Sequence, residues 1–115
     1  DHLGDILVAD SGSHSIRKIT QAGDVTTFAG SDQQLCGHAD GDRVEARFRR
    51  PTGVATDSKG NVFVTEGDNH CIRRITADGQ VSTFAGRPGQ AGFADGPGAD
   101  AQFNNPMRLA VDGEG

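Results

Sequence analysis

Apolar residues along this chain come in short bursts rather than in long periodic stretches. "ILVA" (residues 6–9) and "VFVT" (62–65) are β-prone runs without clean alternation, as in strands covered on both faces. "SIRKIT" and "CIRRIT" follow, each after a turn rich in Ser, Gly, Asp, Asn and His. Within them Ile16 and Ile19, like Ile72 and Ile75, point to opposite faces of a pleat, so both faces need cover. "QAGD" and "ADGQ" predict hairpin turns in which Gly23 and Gly79 take the positive φ of a tight turn. "VTTFAG" and "VSTFAG" predict a further strand, and "TGVATD" and "RLAVD" another, ended by "SKG" and "GEG". Helical periodicity is absent beyond a short turn at "RVEARF" and "GADAQF".

Every one of these elements occurs twice. His14 and His70 stand 56 residues apart, as do Ile16 and Ile72; from Gly37 and Gly92 onward the offset is 55, which places a one-residue change near Leu35. Self-similarity at a long fixed period marks a repeat architecture. The units run from about 1 to 56 and from 57 to 111. Each is four short antiparallel strands, apolar on both sides, and such a sheet must stack between similar sheets. Radial stacking makes an all-β propeller of typically 4–8 blades, which suits this period and strand count better than a straight solenoid. The connection from Gly30 to Pro51 would be too long for a structureless loop in a compact domain. It carries repeated packing residues, Ala39 with Ala94, Ala46 with Ala101 and Phe48 with Phe103. We therefore expect a compact cap over the junction between blades, with the Phe inserted there and contributing roughly 1.5–3 kcal/mol.

Composition narrows the functional classes. Hydrophobic residues make up 34% of the 115 residues, with 17 Gly and neither Trp nor Tyr, a thin supply of core for a chain standing alone. The formal charge of −5 and the missing aromatic platforms argue against nucleic acid as a partner. No apolar run approaches the roughly 18 residues of a membrane helix, and no signal peptide is evident. The chain starts at Asp1 without Met, and we expect an excised, processed or engineered segment whose compartment the sequence does not reveal.

Candidate chemistry is sparse. Cys36 and Cys71 align with Ala91 and Ser15 and lack zinc-ligand spacing, so two free thiols are expected, with a Cys36–Cys71 bridge as the alternative. His14 and His70 recur at the same turn, where an imidazole can hydrogen-bond turn backbone; no ligand cluster accompanies them at metal spacing. His2 and His38 align with Ser58 and Phe93, so neither looks required. Asp40 and Asp95 precede Gly and suit turns, while Asp57 and Asp112 stand at strand ends where carboxylates cap amides. Arg17-Lys18 and Arg73-Arg74 read as solvated or paired strand residues. One basic cluster remains, Arg43, Arg47, Arg49 and Arg50, ending just before Pro51; the sister positions of its last two are Asn104 and Asn105, with Arg108 shortly after. Arg49, Arg50, Asn104, Asn105 and Arg108 would repeat around the mouth of a closed ring, where they could hold an anion or acidic peptide. Surface pairing with Asp40, Asp42 and Glu45 is the plainer reading, and ligand binding the alternative to it. No phosphate loop, nucleophile elbow or catalytic carboxylate pair is present, and no cofactor or metal is expected.

"SGSHSIRKIT", "GDNHCIRRIT", "TTFAG…GHADG…ARFRRPTGVATD" and "STFAG…GFADG…AQFNNP" together resemble NHL repeats over nearly the whole chain. His14, His70, Phe48, Phe103, Asp40 and Asp95 form the shared signature, although Asn-His-Leu itself is only partly kept and Glu66 replaces the acid that Asp10 supplies. The resemblance implies a six-bladed propeller. Counted outward from the axis, the strands read second, third, fourth, then a full blade, then an innermost strand alone at "MRLAVD". The last strand of one molecule would complete the first blade of the next, and two blades per chain would then close as a homotrimer. Resemblance to NHL propellers implies a non-enzymatic binding or scaffold module, self-assembling or cut from a longer propeller. The alternatives are part of a metal-dependent lyase or hydrolase and an RNA-binding domain.

Overall fold

The computed structural model describes residues 4–31, 33 and 36–112. His2, Leu35 and the "GEG" turn lie outside the described residues. Two antiparallel sheets account for the regular structure. The first contains β1 (Ile6–Asp10), β2 (Ser15–Ile19) and β3 (Val25–Gly30), hydrogen-bonded in that order. A three-residue 3-10 turn, Ser11–Ser13, links β1 to β2.

The second sheet contains β5 (Pro51–Thr56), β6 (Val62–Glu66), β7 (Cys71–Ile75) and β8 (Gln80–Gly86) as a meander. The four-strand expectation was one short here. β4 (Gly41–Asp42), a two-residue piece of the long connection, pairs with β8 at Gly41↔Val81 and Asp42↔Gln80 and becomes a fifth, outermost strand. The reason is that β8 has an open edge, and the connection crosses it.

The two sheets repeat one another down to their irregularities. In the first, Ile16 pairs with Ala29 and Arg17 with Thr27, so Phe28 is bulged out of register. In the second, Ile72 pairs with Ala85 and Arg73 with Thr83, and Phe84 is the bulged residue. A bulge adds twist and re-aims side chains, and it sits beside the arginine in both sheets. Gly23 (φ 91°) and Gly79 (φ 94°) close the predicted hairpins, each donating its N–H to a threonine carbonyl three residues back. At the next hairpin Asp57 takes up the Lys59 and Asn61 amides, as its position at a strand end suggested.

The core lies between the sheets. Ile16 and Ala29 of the first, Val62, Val64, Ile75 and Val81 of the second, and Ala46 and Phe48 of the connection form one buried cluster. Phe48 is fully buried. The tract 107–112 is not a strand, in contrast to the expectation for "MRLAVD". A strand is defined by its pairing, and no strand pairs with this tract among the described residues, although the Met107 carbonyl accepts from Thr65 Oγ1 of β6.

Candidate functional site

The described stretch of the long connection at residues 36–50 is a small folded unit held from both sides. An isolated bridge between Ala39 and Arg47 closes it as a hairpin, and the Asp42 carboxylate accepts from the Val44 and Glu45 amides at its single helical turn. On the side of the first sheet, His14 Nδ1 accepts the backbone N–H of Arg50 at 3.0 Å. The second connection (87–106) repeats this, with an Ala94–Gln102 bridge and His70 Nδ1 accepting the Asn105 N–H at 2.9 Å. The two imidazoles thus join distant segments rather than their own turn alone. All four residues sit in the left-handed region, His14 and His70 at φ 55° and 56°, Arg50 and Asn105 at 44° and 54°. That conformation is uncommon for side-chain-bearing residues, and it is the same in both copies.

On the side of the second sheet, Arg73 clamps the first connection. Its Nη1 donates to Glu66 Oε2 (2.9 Å) and the Arg47 carbonyl (3.0 Å); its Nη2 donates to the Ala39 carbonyl (2.7 Å) and Asp40 Oδ1 (2.9 Å). The guanidinium also lies 5.0 Å from the centroid of the Phe48 ring. Glu66 takes the Arg49 amide on its other oxygen at 2.8 Å. Arg73 is a paired strand residue, one of the two readings expected for Arg73-Arg74, but it and Glu66 are completely buried rather than solvated. Arg74 packs against Phe84, Arg17 pairs with Asp10 at 3.2 Å, and Lys18 reaches Asp5 at 3.8 Å.

Sequence reasoning missed the buried clamp. A signal existed, since an acid and an arginine recur seven residues apart in both copies, as Asp10 with Arg17 and Glu66 with Arg73.

His38, Glu66 and Cys71 bring one ligand atom each within 4.8 Å of one another, a grouping that includes neither His14 nor His70. Their chemistry is nonetheless committed to packing. Glu66 is taken by Arg73, the Arg49 amide and the Cys71 thiol; His38 meets Asn69 at 2.8 Å and Thr83 at 3.2 Å through its two ring nitrogens. A guanidinium bound to the carboxylate repels a cation. Burial, with Glu66 adding to it, pushes the Cys71 thiol up to about 12, far from a nucleophilic thiolate. Burial first, and then Arg73, lowers His38 below the ordinary imidazole range, partly offset by Glu66 and Asp40. Both cysteines are free thiols, Cys36 exposed and Cys71 buried.

The rim residues Arg49, Arg50, Asn104, Asn105 and Arg108 are all exposed. Arg50 Nε lies 3.4 Å from Asp68, not near Asp40, Asp42 or Glu45 as the surface-pairing reading had it. Arg47 turns back onto the carbonyls of residues 44–46, and Arg43 stacks on Phe28 at 4.7 Å. Asp40 is held by Arg73, whereas Asp95 has no such partner among the described residues.

Repeated antiparallel sheets packed through folded connections define an all-β, propeller-like repeat module. Residues 48–75 match the NHL repeat family model. The chain is 34% identical over 117 residues to protein SUPPRESSOR OF QUENCHING 1, chloroplastic, of Arabidopsis thaliana, which covers 95% of this chain and 11% of that protein. NHL repeat-containing protein 2 of Bos taurus is 33% identical over 88 residues, 75% of this chain and 12% of that one. Among solved structures, a protein of unknown function from Bacteroides thetaiotaomicron superimposes with a TM-score of 0.90 at 36% identity, over 96% of this chain and 28% of that chain. An auxiliary nutrient binding protein from the same organism gives 0.80 at 25% identity, over 96% and 30%. The chain belongs to the NHL-repeat family. It spans about a tenth of the length of these curated relatives and under a third of these solved structures.

Proposed function

We propose that this chain is a non-enzymatic binding module working within a closed NHL propeller, and that its rim of Arg49, Arg50, Asn104, Asn105 and Arg108 holds an acidic peptide. The observation that carries the reading is the pair of histidine latches. Each fixes the residue just before an innermost-strand position in the same left-handed geometry, leaving the neighbouring side chains exposed. The side chains of Arg49 and Arg108 make no hydrogen bond or ion pair among the described residues and are free for a ligand. Support also comes from the buried groups, which are spent on packing, and from the likeness to a nutrient binding protein.

The ring is closed, in this reading, by three copies. β1 is an edge strand among the described residues, with Ile6 58% and Val8 37% exposed. A bare apolar edge is a template for strand addition. Two blades per chain and the six of the family set the number of copies.

Calorimetric titration with a short Asp/Glu peptide tests the rim. Binding should weaken as salt rises from about 50 to 300 mM, as expected for exposed charges, and the Arg49→Ala/Arg50→Ala/Arg108→Ala variant should lose it at least tenfold. No heat at low salt, or the same affinity in the variant, would sink the reading.

A further inference from the structure

We infer that the two histidine latches form an acid-sensitive device, in which protonation of His14 and His70 releases the backbone of Arg50 and Asn105 and resets the rim where those residues stand. Each latch uses the unshared electron pair of Nδ1, which accepts the Arg50 N–H at 3.0 Å and the Asn105 N–H at 2.9 Å. A neutral imidazole has one such acceptor nitrogen, and a charged imidazole has none, because both its nitrogens carry protons. The amide and a solvent proton therefore compete for a single site. The latch exists only with the neutral ring.

The surroundings let that competition act. Both imidazoles are half-buried, and Arg50 and Asn105 are exposed, so a proton reaches the ring and water takes up the amide that is let go. Imidazole is also the side chain whose ordinary charge change falls near neutral pH, at about 6.5. The released residues have reason to move. Arg50 and Asn105 sit at φ 44° and 54°, a conformation that persists in side-chain-bearing residues when the structure around them holds it. Asn tolerates this region better than Arg, so the first latch restrains the more strained residue.

Charged groups surround both rings. The turn of His14 follows Asp10, which Arg17 engages at 3.2 Å, and the connection brings Arg49 and Arg50. The turn of His70 carries Glu66, held by Arg73, and Asp68, 3.4 Å from Arg50 Nε. The second connection adds Arg87, which lies 3.9 Å from Asp100, and Arg108 follows it. Each of these carboxylates already has an arginine, and the amide is the partner that protonation displaces. Arg50 joins the two turns, by its backbone to His14 and by its side chain to Asp68.

Release is confined to the latch. One residue further on, the Pro51 carbonyl accepts from Ser11 Oγ and the Pro106 carbonyl from Thr52 Oγ1. One residue before the first latch, the Arg49 amide is held on Glu66 Oε1. Serine and threonine do not titrate in this range, so β5 keeps its place while the peptide groups flanking Arg50 turn. The device belongs to the rim backbone and works whether or not a ligand is held there.

Amide hydrogen exchange read by NMR on the isotope-labelled chain tests it, expressed as protection relative to a free peptide so that the intrinsic pH dependence of exchange cancels. Between about pH 7.5 and 5 the Arg50 and Asn105 amides should lose protection about tenfold, as one proton per latch allows. The Gly23 and Gly79 amides, which donate to threonine carbonyls, should keep theirs. Asn carries a non-titrating Oδ1 as many bonds from the backbone as Nδ1, and it tolerates the left-handed region that His14 and His70 occupy. The His14→Asn/His70→Asn variant, with His38 left in place, should therefore hold both amides across the whole range. Ring-nitrogen shifts of the unmodified chain give a second reading that does not depend on the variant's folding. Nδ1 of both rings should gain its proton over the interval in which the amides are released. Unchanged protection at pH 5, release that persists in the Asn variant, equal loss at Gly23 and Gly79, or release while Nδ1 is still bare would each overturn the device.

Discussion

The two long connections of this protein are nearly the same object in two environments. Residues 36–50 are caught between two sheets, with Ala46 and Phe48 fully buried and Arg73 bound to the Ala39 and Arg47 carbonyls. Residues 87–106 keep the bridge and the histidine latch but meet one sheet among the described residues, and Phe93 and Asp95 stand in solvent. The local fold of the connection is thus set by its own turns and latch. What the second sheet adds is burial and the clamp.

The largest expected effect is at the phenylalanines. Phe48→Ala should cost about 3–5 kcal/mol in denaturant unfolding, as for a fully buried aromatic ring. Phe103→Ala in a dilute single chain should cost about 1 kcal/mol, in proportion to its partial burial. Equal losses would break the comparison, and a Phe103→Ala loss that grows with protein concentration would show that the second junction is filled in solution.

The acids come next. Glu66→Ala leaves Arg73 buried without its carboxylate and should cost about 3–5 kcal/mol. Asp10→Ala removes a partner from Arg17 in a pair about one-third exposed and should cost about 0–1 kcal/mol. Thermal denaturation of the two variants side by side reads the difference.

A smaller effect separates His38 from its counterpart Phe93. The His38 pKa is lowered in the folded protein, so below its ordinary value of 6.5 the unfolded chain binds the proton more readily. Stability contributed at this position is full above about pH 6.5 and is lost as pH falls through that value toward the lowered one. His38→Phe should flatten the melting temperature between pH 8 and 5 relative to wild type. An unchanged slope would remove His38 from the junction's pH response.

Much of this architecture was legible in the sequence. The strands, the glycine turns at Gly23 and Gly79, and the insertion of Phe48 all follow from apolar runs and from their repetition, because a position that repeats with the blade has the same job in each. The functional reading was less legible. Arg73 looked like any strand arginine, since its acid lies on a neighbouring strand and its carbonyl partners some 30 residues away. His38 looked dispensable because its sister is Phe93, yet the filled junction gives it two hydrogen-bond partners, Asn69 and Thr83. The fifth strand β4 was hidden for the same kind of reason, as it exists only where the connection happens to cross the edge of β8.

The sequence by itself determined that there are two copies of one all-β unit, and which residues of the connection pack inward. Hydrophobic pattern and turn chemistry act over a few residues and are written locally. Only the tertiary structure decided which copies of those residues are buried, which arginine becomes a clamp and which an exposed pair, and which of two equal faces is left bare. Those outcomes depend on what stands across the junction, and burial is a property of two surfaces rather than of one stretch of chain.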